Sequence, residues 1–396
     1  MIVGQPVMLG VSGGIACYKA CSIVRQLVEA GATVDVVMTA SATEFVRPVT
    51  FEALSGRPVL TSLWQRDQAL SHIRLGRDSH LIILAPATAN LLAKAASGIA
   101  DDLLTAILLA AETPVLAAPA MNDTMYSHPA TTANIASLKR HGWQFVGPAI
   151  GPLAEGPSEK PGRMSEPEEV VAHAKRLLCA PSSVLQGKSV LVTAGPTREH
   201  IDPVRTISNP SSGKMGFSIA EAAFARGADV TLVSGPSLLK DPTGVETVRV
   251  ETTSEMLETV SVRLPEADVL VMAAAPADYV PDSIADHKLP RADGSITLVL
   301  QPTPDILENT AVRRRSRCVA VGFALESEPG LERARAKLER KQLDLIVLNS
   351  ATQSDSGFES DTNRTTFITQ RTITELPLLS KYTVAEKLLD EVEAML

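Results

Sequence analysis

Along the first half of the chain, short runs of nearly all apolar residues alternate with longer stretches of helical spacing. Val7 to Val11, Val34 to Met38, Leu81 to Ala85 and Val115 to Ala118 are four such runs. None shows the polar alternation of a half-exposed strand. Each therefore predicts a strand covered by helices on both faces, which is the condition of a parallel sheet. Between the first two runs, Ile15, Ile23, Val24, Leu27 and Val28 fall near helical spacing and Gly31 supplies a stop, which predicts a β-α-β unit. The texture changes at Gly147, where Pro148, Gly151, Pro152, Gly156, Pro157, Pro161 and Gly162 follow closely. So many breakers exclude a helix or a central strand and predict a loop or a flap. A helix is expected over residues 166–178. Residues 180–187, with Pro181, Ser182 and Ser183, read as a linker, and the boundary is placed near Leu185.

The same grammar restarts beyond it. Ser189 to Thr193 predicts a strand, a Gly/Ser-rich stretch follows, and a helix is expected from about Met215 to Ala225 before a strand at Asp229 to Val233. Further strands are expected at Val269 to Ala273, Val319 to Phe323 and Leu345 to Leu348, with a charged helix from about Leu331 to Lys341. Length agrees with this division, since 396 residues at roughly 150 per domain give two to three domains. The pattern predicts two α/β domains, residues 1–185 and 186–396, each with an open, mainly parallel, doubly wound sheet.

Composition narrows the function classes. Apolar residues at 45% and charged ones at 21% are ordinary globular usage, so disorder and fibres are excluded. With 37 Lys+Arg against 45 Asp+Glu, the net charge of -8 lacks the basic footprint of a nucleic-acid binder. No apolar run reaches the roughly 18 residues of a membrane span, and the first residues lack an export pattern. Cys17, Cys21, Cys179 and Cys318 form neither a disulfide framework nor a zinc spacing and read as reduced thiols of a cytoplasmic protein.

Three groups of residues offer chemistry. The first is Gly10-Val-Ser-Gly-Gly-Ile-Ala16, between the first strand and helix. Glycines let backbone approach a phosphate, and the helix that follows supplies free N–H groups and a positive dipole end; a tight structural turn is the bland alternative. The G-x-G-x-x-G dinucleotide pattern is absent, so a single phosphate suits the turn better than a pyrophosphate. The second group comprises His72, Ala85-Pro-Ala-Thr-Ala-Asn90, Gly98 to Leu103 and Pro119-Ala-Met-Asn122. Two of these segments follow strand ends, where doubly wound sheets open crevices. Asn122 can hold a carboxylate there and His72 can move a proton near neutral pH, although a lone histidine is more often structural.

The third group opens the second domain with Thr193-Ala-Gly-Pro-Thr-Arg-Glu199 and Ile207-Ser-Asn-Pro-Ser-Ser-Gly-Lys-Met-Gly216. Hydroxyls, glycines and Lys214 ahead of a helix form an anion cradle or an ordinary helix entry. It is no Walker A loop, because Met215 stands where Ser or Thr would take magnesium. Downstream lie Ala273-Ala-Ala-Pro-Ala-Asp-Tyr279, His287-Lys288, Pro304-Asp-Ile-Leu307, Gly322-Phe-Ala324, Lys337 and Lys341. The two last lysines share a helix face and repel unless something anionic lies near them.

From about Val7 to Leu178 these motifs, in this order, resemble the flavin-dependent phosphopantothenoylcysteine decarboxylases. The resemblance implies a flavodoxin-like flavoprotein fold with FMN as cofactor, contacted by Ser12, Gly13, Gly14, Thr39, Pro86 and Thr88. It implies His72 as a catalytic residue and Asn122 on the substrate carboxylate. The chemistry implied is oxidation of the substrate cysteine thiol by FMN, loss of carbon dioxide from the thioaldehyde, and reduction of the enethiol by the reduced flavin. One position departs from the family. Where its flap carries a proton-donating cysteine ahead of Gly-Arg-Met, this chain has Glu155 ahead of Gly162-Arg-Met164. A carboxylic acid in a dry flap, its pKa raised by burial, supplies the proton in one reading; in the other the final reduction is slow or lost.

From about Lys188 to the end, the chain resembles the phosphopantothenate-cysteine ligase domain of the bacterial fused enzymes. The resemblance implies a Rossmann-like nucleotide-binding ligase in which CTP activates 4'-phosphopantothenate as an acyl-cytidylate and cysteine displaces CMP. It places Asn209 on that intermediate and Asp278, with Ala274 and Ala275, at the cytosine. Lys288 falls at the triphosphate, Pro304, Asp305, Ile306, Leu307, Phe323, Lys337 and Lys341 along the nucleotide site, and Mg2+ with the phosphates. Where the family has Lys-x-Lys-Lys, this chain reads Lys288-Leu-Pro290-Arg291, which weakens phosphate contacts. The whole is expected to be a bifunctional cytoplasmic enzyme of coenzyme A biosynthesis, ligating with the second domain and decarboxylating with the first. The alternative is a ligase whose flavin-binding first domain is impaired or structural. Trimeric flavin domains and dimeric ligase domains are expected to give a dodecamer.

Overall fold

The computed structural model describes residues 2–64, 70–291, 296–326, 330–350 and 360–396. The chain divides into two compact units, Met1–Pro181 and Ser182–Leu396.

In the first unit the elements follow in the order β1 (Pro6–Val11), α1 (Cys17–Glu29), β2 (Thr33–Met38), α2 (Pro48–Ser55), α3 (Ser71–Asp78), β3 (Leu81–Ala87), α4 (Ala89–Ala96), α5 (Leu103–Ala110), β4 (Val115–Pro119), α6 (Asp123–Ser127), α7 (Pro129–Arg140), β5 (Gln144–Phe145), β6 (Ala149–Ile150), β7 (Pro161–Arg163) and α8 (Pro167–Cys179). Five parallel strands run in the order β2-β1-β3-β4-β5, with Leu9 beside Val36 and Ile83. The apolar character of β1 follows from two cores rather than one. Val7, Leu9 and Val11 pack with Ile23, Val24 and Leu27 of α1 and Val170 of α8, whereas Met8 packs on the other face with Ile82, Leu84 and Leu104. Neither face is left for water, so no polar alternation appears. The order reverses between β1 and β3, and a doubly wound sheet opens its ligand crevice there.

The breaker-rich segment is not featureless: β6 and β7 pair antiparallel and Leu153 bridges Gly156 at its tip.

The second unit runs β8 (Ser189–Ala194), β9 (Arg198–His200), β10 (Thr206–Ser208), α9 (Lys214–Ala225), β11 (Asp229–Ser234), β12 (Glu246–Arg249), α10 (Thr253–Arg263), β13 (Val269–Met272), β14 (Tyr279–Pro281), β15 (Leu300–Pro302), α11 (Ile306–Thr310), β16 (Val319–Glu326), α12 (Leu331–Arg340), β17 (Leu345–Ser350), β18 (Thr362–Asn363), β19 (Thr365–Thr369), β20 (Ile373–Glu375), β21 (Leu379–Ser380) and α13 (Lys381–Glu393). Its main sheet has the order β12-β11-β8-β13-β16-β17-β19-β20. Pairing is parallel as far as β17 and antiparallel for the last two strands. The stretch between β8 and α9 folds as the hairpin β9–β10. The reversal of strand order lies between β8 and β13, and Asn209 directly follows β10 beside it.

Candidate functional site

In the first unit a cavity of about 890 Å³ opens at the strand tips, lined by Ser12 to Ala16, Thr39, Thr88, Met121, Asn122, Glu155 and Arg163 among others. The glycine turn is held from below. Ser12 Oγ donates to the Pro86 carbonyl at 2.7 Å and accepts from the Thr88 N–H at 3.1 Å, latching β1 to β3. A side chain at Gly13 would meet the Ser41 carbonyl carbon at 2.7 Å, so only glycine lets this turn pass so close. Helix α1 then starts without any side-chain cap and without an acidic residue in its first turn. A missing cap costs about 1 kcal/mol. Burial of Ile23, Val24 and Leu27, at roughly 1.5–3 kcal/mol each, outweighs it, and the Cys17 and Lys19 N–H groups turn back onto the Gly14 and Ala16 carbonyls, so no side chain covers the positive end of the helix. Thr39 caps the turn that follows β2, accepting from Ala42 N–H, and Thr88 caps α4, accepting from Leu91 N–H. Cys17 is buried, which pushes its thiol up and outweighs the backbone N–H of Gly14, so it packs as a neutral group.

Asn122 is oriented by its own helix. Its Oδ1 accepts from the N–H groups of Thr124 at 2.8 Å and Met125 at 3.2 Å, which fixes the amide and turns Nδ2 the other way. There Nδ2 donates to Glu155 Oε1 at the flap tip. The flap base is anchored: the Gly162 carbonyl accepts from Met121 N–H at 3.0 Å, and Lys19 Nζ donates to the Met164 carbonyl at 2.8 Å. A side chain at Gly162 would meet the Met121 carbonyl at 2.7 Å. The flap is therefore not dry at its tip. Glu155 is exposed in this chain, not enclosed as the sequence predicted.

His72 is not brought to the cavity. It lies on α3, which is pinned to the end of α5, with a side chain at Gly76 limited to 2.9 Å from the Ala110 carbonyl. His72 Nδ1 is buried without a hydrogen-bond partner among the described residues. Ile15 and Tyr18, which line the cavity, are 65% and 62% exposed.

In the second unit the strand tips are tied across the switch point. Ala274 N–H donates to Thr193 Oγ1 at 3.1 Å and Ala275 N–H to the Gly195 carbonyl at 2.9 Å. Asn209 Nδ2 donates to the carbonyls of Ala275 and Pro276 at 3.2 and 2.9 Å, so Asn209, Ala274 and Ala275 meet. Asp278 is exposed, and its carbonyl accepts from Thr303 N–H at 3.0 Å, which places it next to the Pro304 turn. Lys288 is exposed on the loop after β14.

The expected row along the nucleotide site is altered by burial. The side chains of Ile306 and Leu307 are 4% and 6% exposed and pack in the core, so only their backbone can face a ligand. Asp305 caps α11 through Glu308 N–H and pairs with Lys341 Nζ. Burial alone would raise the Asp305 carboxyl, but Lys341, the Glu308 N–H and Lys337 outweigh it and hold it below the usual carboxylate range. The anion that lets Lys337 and Lys341 share a face is thus Asp305 itself. Lys341, 8% exposed, spends its charge inside the protein, and Lys337 Nζ donates to the Phe323 carbonyl at 2.8 Å. The turn of the β9–β10 hairpin, with its buried Asp202, lies between the two segments singled out in the sequence and carried no motif of its own. A carboxylate two residues after a short strand is the signal it left.

The flavoprotein family matches residues 1–178, and the C-terminal domain of DNA/pantothenate metabolism flavoproteins matches residues 185–396. The coenzyme A biosynthesis bifunctional protein CoaBC of Bacillus subtilis (strain 168) is 46% identical over 400 residues, spanning 100% of this chain and 98% of the relative. That of Vibrio vulnificus (strain CMCP6) is 43% identical over 399 residues, spanning 100% of this chain and 99% of its own length. A crystal structure of the C-terminal domain of such a protein is 40% identical and covers 54% of this chain and 98% of that one, with a TM-score of 0.47. The chain belongs to the family of coenzyme A biosynthesis bifunctional proteins CoaBC.

Proposed function

We propose that the chain ligates cysteine to 4'-phosphopantothenate with CTP in its second unit, residues 186–396, and decarboxylates the product to 4'-phosphopantetheine in its first, residues 1–185. The observation that carries this reading is the meeting of Asn122 and Glu155 over a cavity whose floor is an uncapped helix start behind Gly13. The cavity fits FMN: glycine at 13 lets the turn pack directly against Ser41, and Ser12, Gly14, Thr39 and Thr88 line the space in front of it, where a phosphate meets hydroxyls and backbone. Bound there, FMN supplies the two-electron chemistry on either side of the loss of carbon dioxide.

The protein's own part is positional. An amide nitrogen carries two N–H donors, and Glu155 uses one, so a substrate carboxylate on the other lies beside the flap carboxyl. Glu155 is then within reach to give a proton where the family uses a cysteine. His72 acts on the cavity of a second copy, in keeping with the exposed Ile15 and Tyr18 at the rim and with the trimeric flavin domains expected of the family. In the second unit Asn209 and the Ala274–Ala275 backbone hold the acyl-nucleotide, while Asp278, Lys288 and Lys337 serve the base and phosphates. Lys341 acts there by fixing Asp305. Magnesium would arrive with the triphosphate; among the described residues no three His, Cys, Asp or Glu side chains gather to bind a metal.

Product analysis with CTP, cysteine, 4'-phosphopantothenate and FMN tests both halves together. Formation of CMP, carbon dioxide and 4'-phosphopantetheine is expected. Accumulation of 4'-phosphopantothenoylcysteine without carbon dioxide would leave only the ligase. Mixing His72→Ala with Asn122→Ala chains, each inactive in decarboxylation, is expected to restore part of the activity, and the mass of the intact particle is expected to be that of a dodecamer.

A further inference from the structure

Asp202 is a charged group with 0% exposure in the turn of the β9–β10 hairpin. Its Oδ1 accepts from the N–H groups of Val204 and Arg205, both at 2.8 Å. Its Oδ2 accepts from the Arg205 guanidinium at 3.2 Å and from the Leu289 N–H at 3.1 Å. The two oxygens thus do different work, one closing its own turn and the other reaching a loop 87 residues away. The hairpin's second strand runs straight into Asn209, and Leu289 directly follows Lys288. A second tie, from Ala285 N–H to the Ile201 carbonyl at 3.0 Å, joins the same two segments, but it is backbone alone.

We propose that Asp202 is a positioning residue of the ligation reaction, fixing the loop that carries Lys288 against the strand that delivers Asn209. This rests on the roles given above to Asn209 and Lys288. Only a carboxylate serves at this position, because donors face both of its oxygens; an asparagine keeps one acceptor and turns an NH2 toward N–H groups. Burial opposes the charge, yet the N–H groups of Val204, Leu289 and Arg205 and the guanidinium outweigh it and keep the group below the usual carboxylate range. Within the 287–291 loop, where Pro290 replaces the family lysine and offers no N–H, the Leu289 N–H is the donor that Asp202 grips.

The test uses the full chain and measures pyrophosphate release from CTP in the presence of 4'-phosphopantothenate. Asp202→Asn is expected to lower kcat roughly ten- to a hundredfold, the range typical when a supporting contact is removed from behind a functional group. In a Lys288→Gln background the same change is expected to add little, since both act through one group. Leu289→Pro removes the other end of the same bond from a half-buried loop position and is expected to reproduce the loss without adding to Asp202→Asn. Wild-type turnover in Asp202→Asn or in Leu289→Pro, or a full multiplicative loss on top of Lys288→Gln, overturns the inference alone. A wild-type chain that releases no pyrophosphate overturns the ligase reading and the inference with it.

Discussion

The two glycine turns of this protein lie at equivalent places, each between the first strand of a doubly wound unit and an uncapped helix, yet their surroundings differ. At α1 the turn opens into a cavity whose far wall is a flap, and the flap brings Glu155 onto Asn122. At α9 the start is again without a side-chain cap, with Gly213 in the left-handed region at φ 83°, but the polar groups nearby are satisfied largely by one another. Asn209 binds carbonyls, Lys341 binds Asp305 and Asp202 binds a loop. On the proposed reading, the first site encloses a flat cofactor, while the second holds a set of internal bonds that prearranges a few exposed groups for a nucleotide that arrives and leaves in every cycle.

Breaking the first turn has the largest expected effect. Gly13→Val is expected to abolish bound flavin, read as loss of the yellow absorbance of the purified protein, while CTP-dependent pyrophosphate release continues. In the second unit, Asn209→Ala is expected to lower ligation by roughly 10²–10³-fold, the scale of a lost preorganised polar group, with decarboxylation of supplied 4'-phosphopantothenoylcysteine unchanged. Next comes the flap. In single turnover, Glu155→Ala is expected to slow the last step about a hundredfold and Glu155→Cys to recover most of it; full turnover in the alanine variant would remove Glu155 from proton transfer.

The smallest effect concerns the internal bonds of the second unit. Because the folded state holds the Asp305 carboxyl below its ordinary value of 3.8, the pair with Lys341 stabilises fully above that value and is lost as pH falls through the lowered one. Asp305→Asn is therefore expected to unfold a few degrees earlier than wild type at pH 7, and the gap to close toward pH 3 in thermal scans.

The central strands of both sheets were legible because burial on two faces removes the polar residues that would blur them, as Val7 to Val11 shows with its two separate cores, whereas the short edge strands β5 and β12 left no such run. The antiparallel edge was not. Thr365–Thr369 and Ile373–Glu375 mix threonine with apolar residues and have a solvated face, so they carry no such run. Single motifs were readable where spacing is local, as at Gly13 or Asn122. Their assembly was not, since the Ser12 latch, the Asn122–Glu155 pair and the Asp202–Leu289 bond join residues separated by 74, 33 and 87 positions. The placement of His72 depends on how α3 packs against α5, which no spacing near residue 72 encodes.

Gly162 has a further consequence for the loop it closes. Its Cβ position lies 2.7 Å from one backbone oxygen and 3.0 Å from the Asp123 nitrogen, so the root of the loop admits a single residue type whatever chemistry is asked of the unit. Residue 155, by contrast, stands in water and shapes nothing but what it touches. A thiol, a carboxyl or an inert methyl is expected to be exchanged there without disturbing the scaffold, so on the proposed reading the identity of the acid changes while the path that delivers it stays the same.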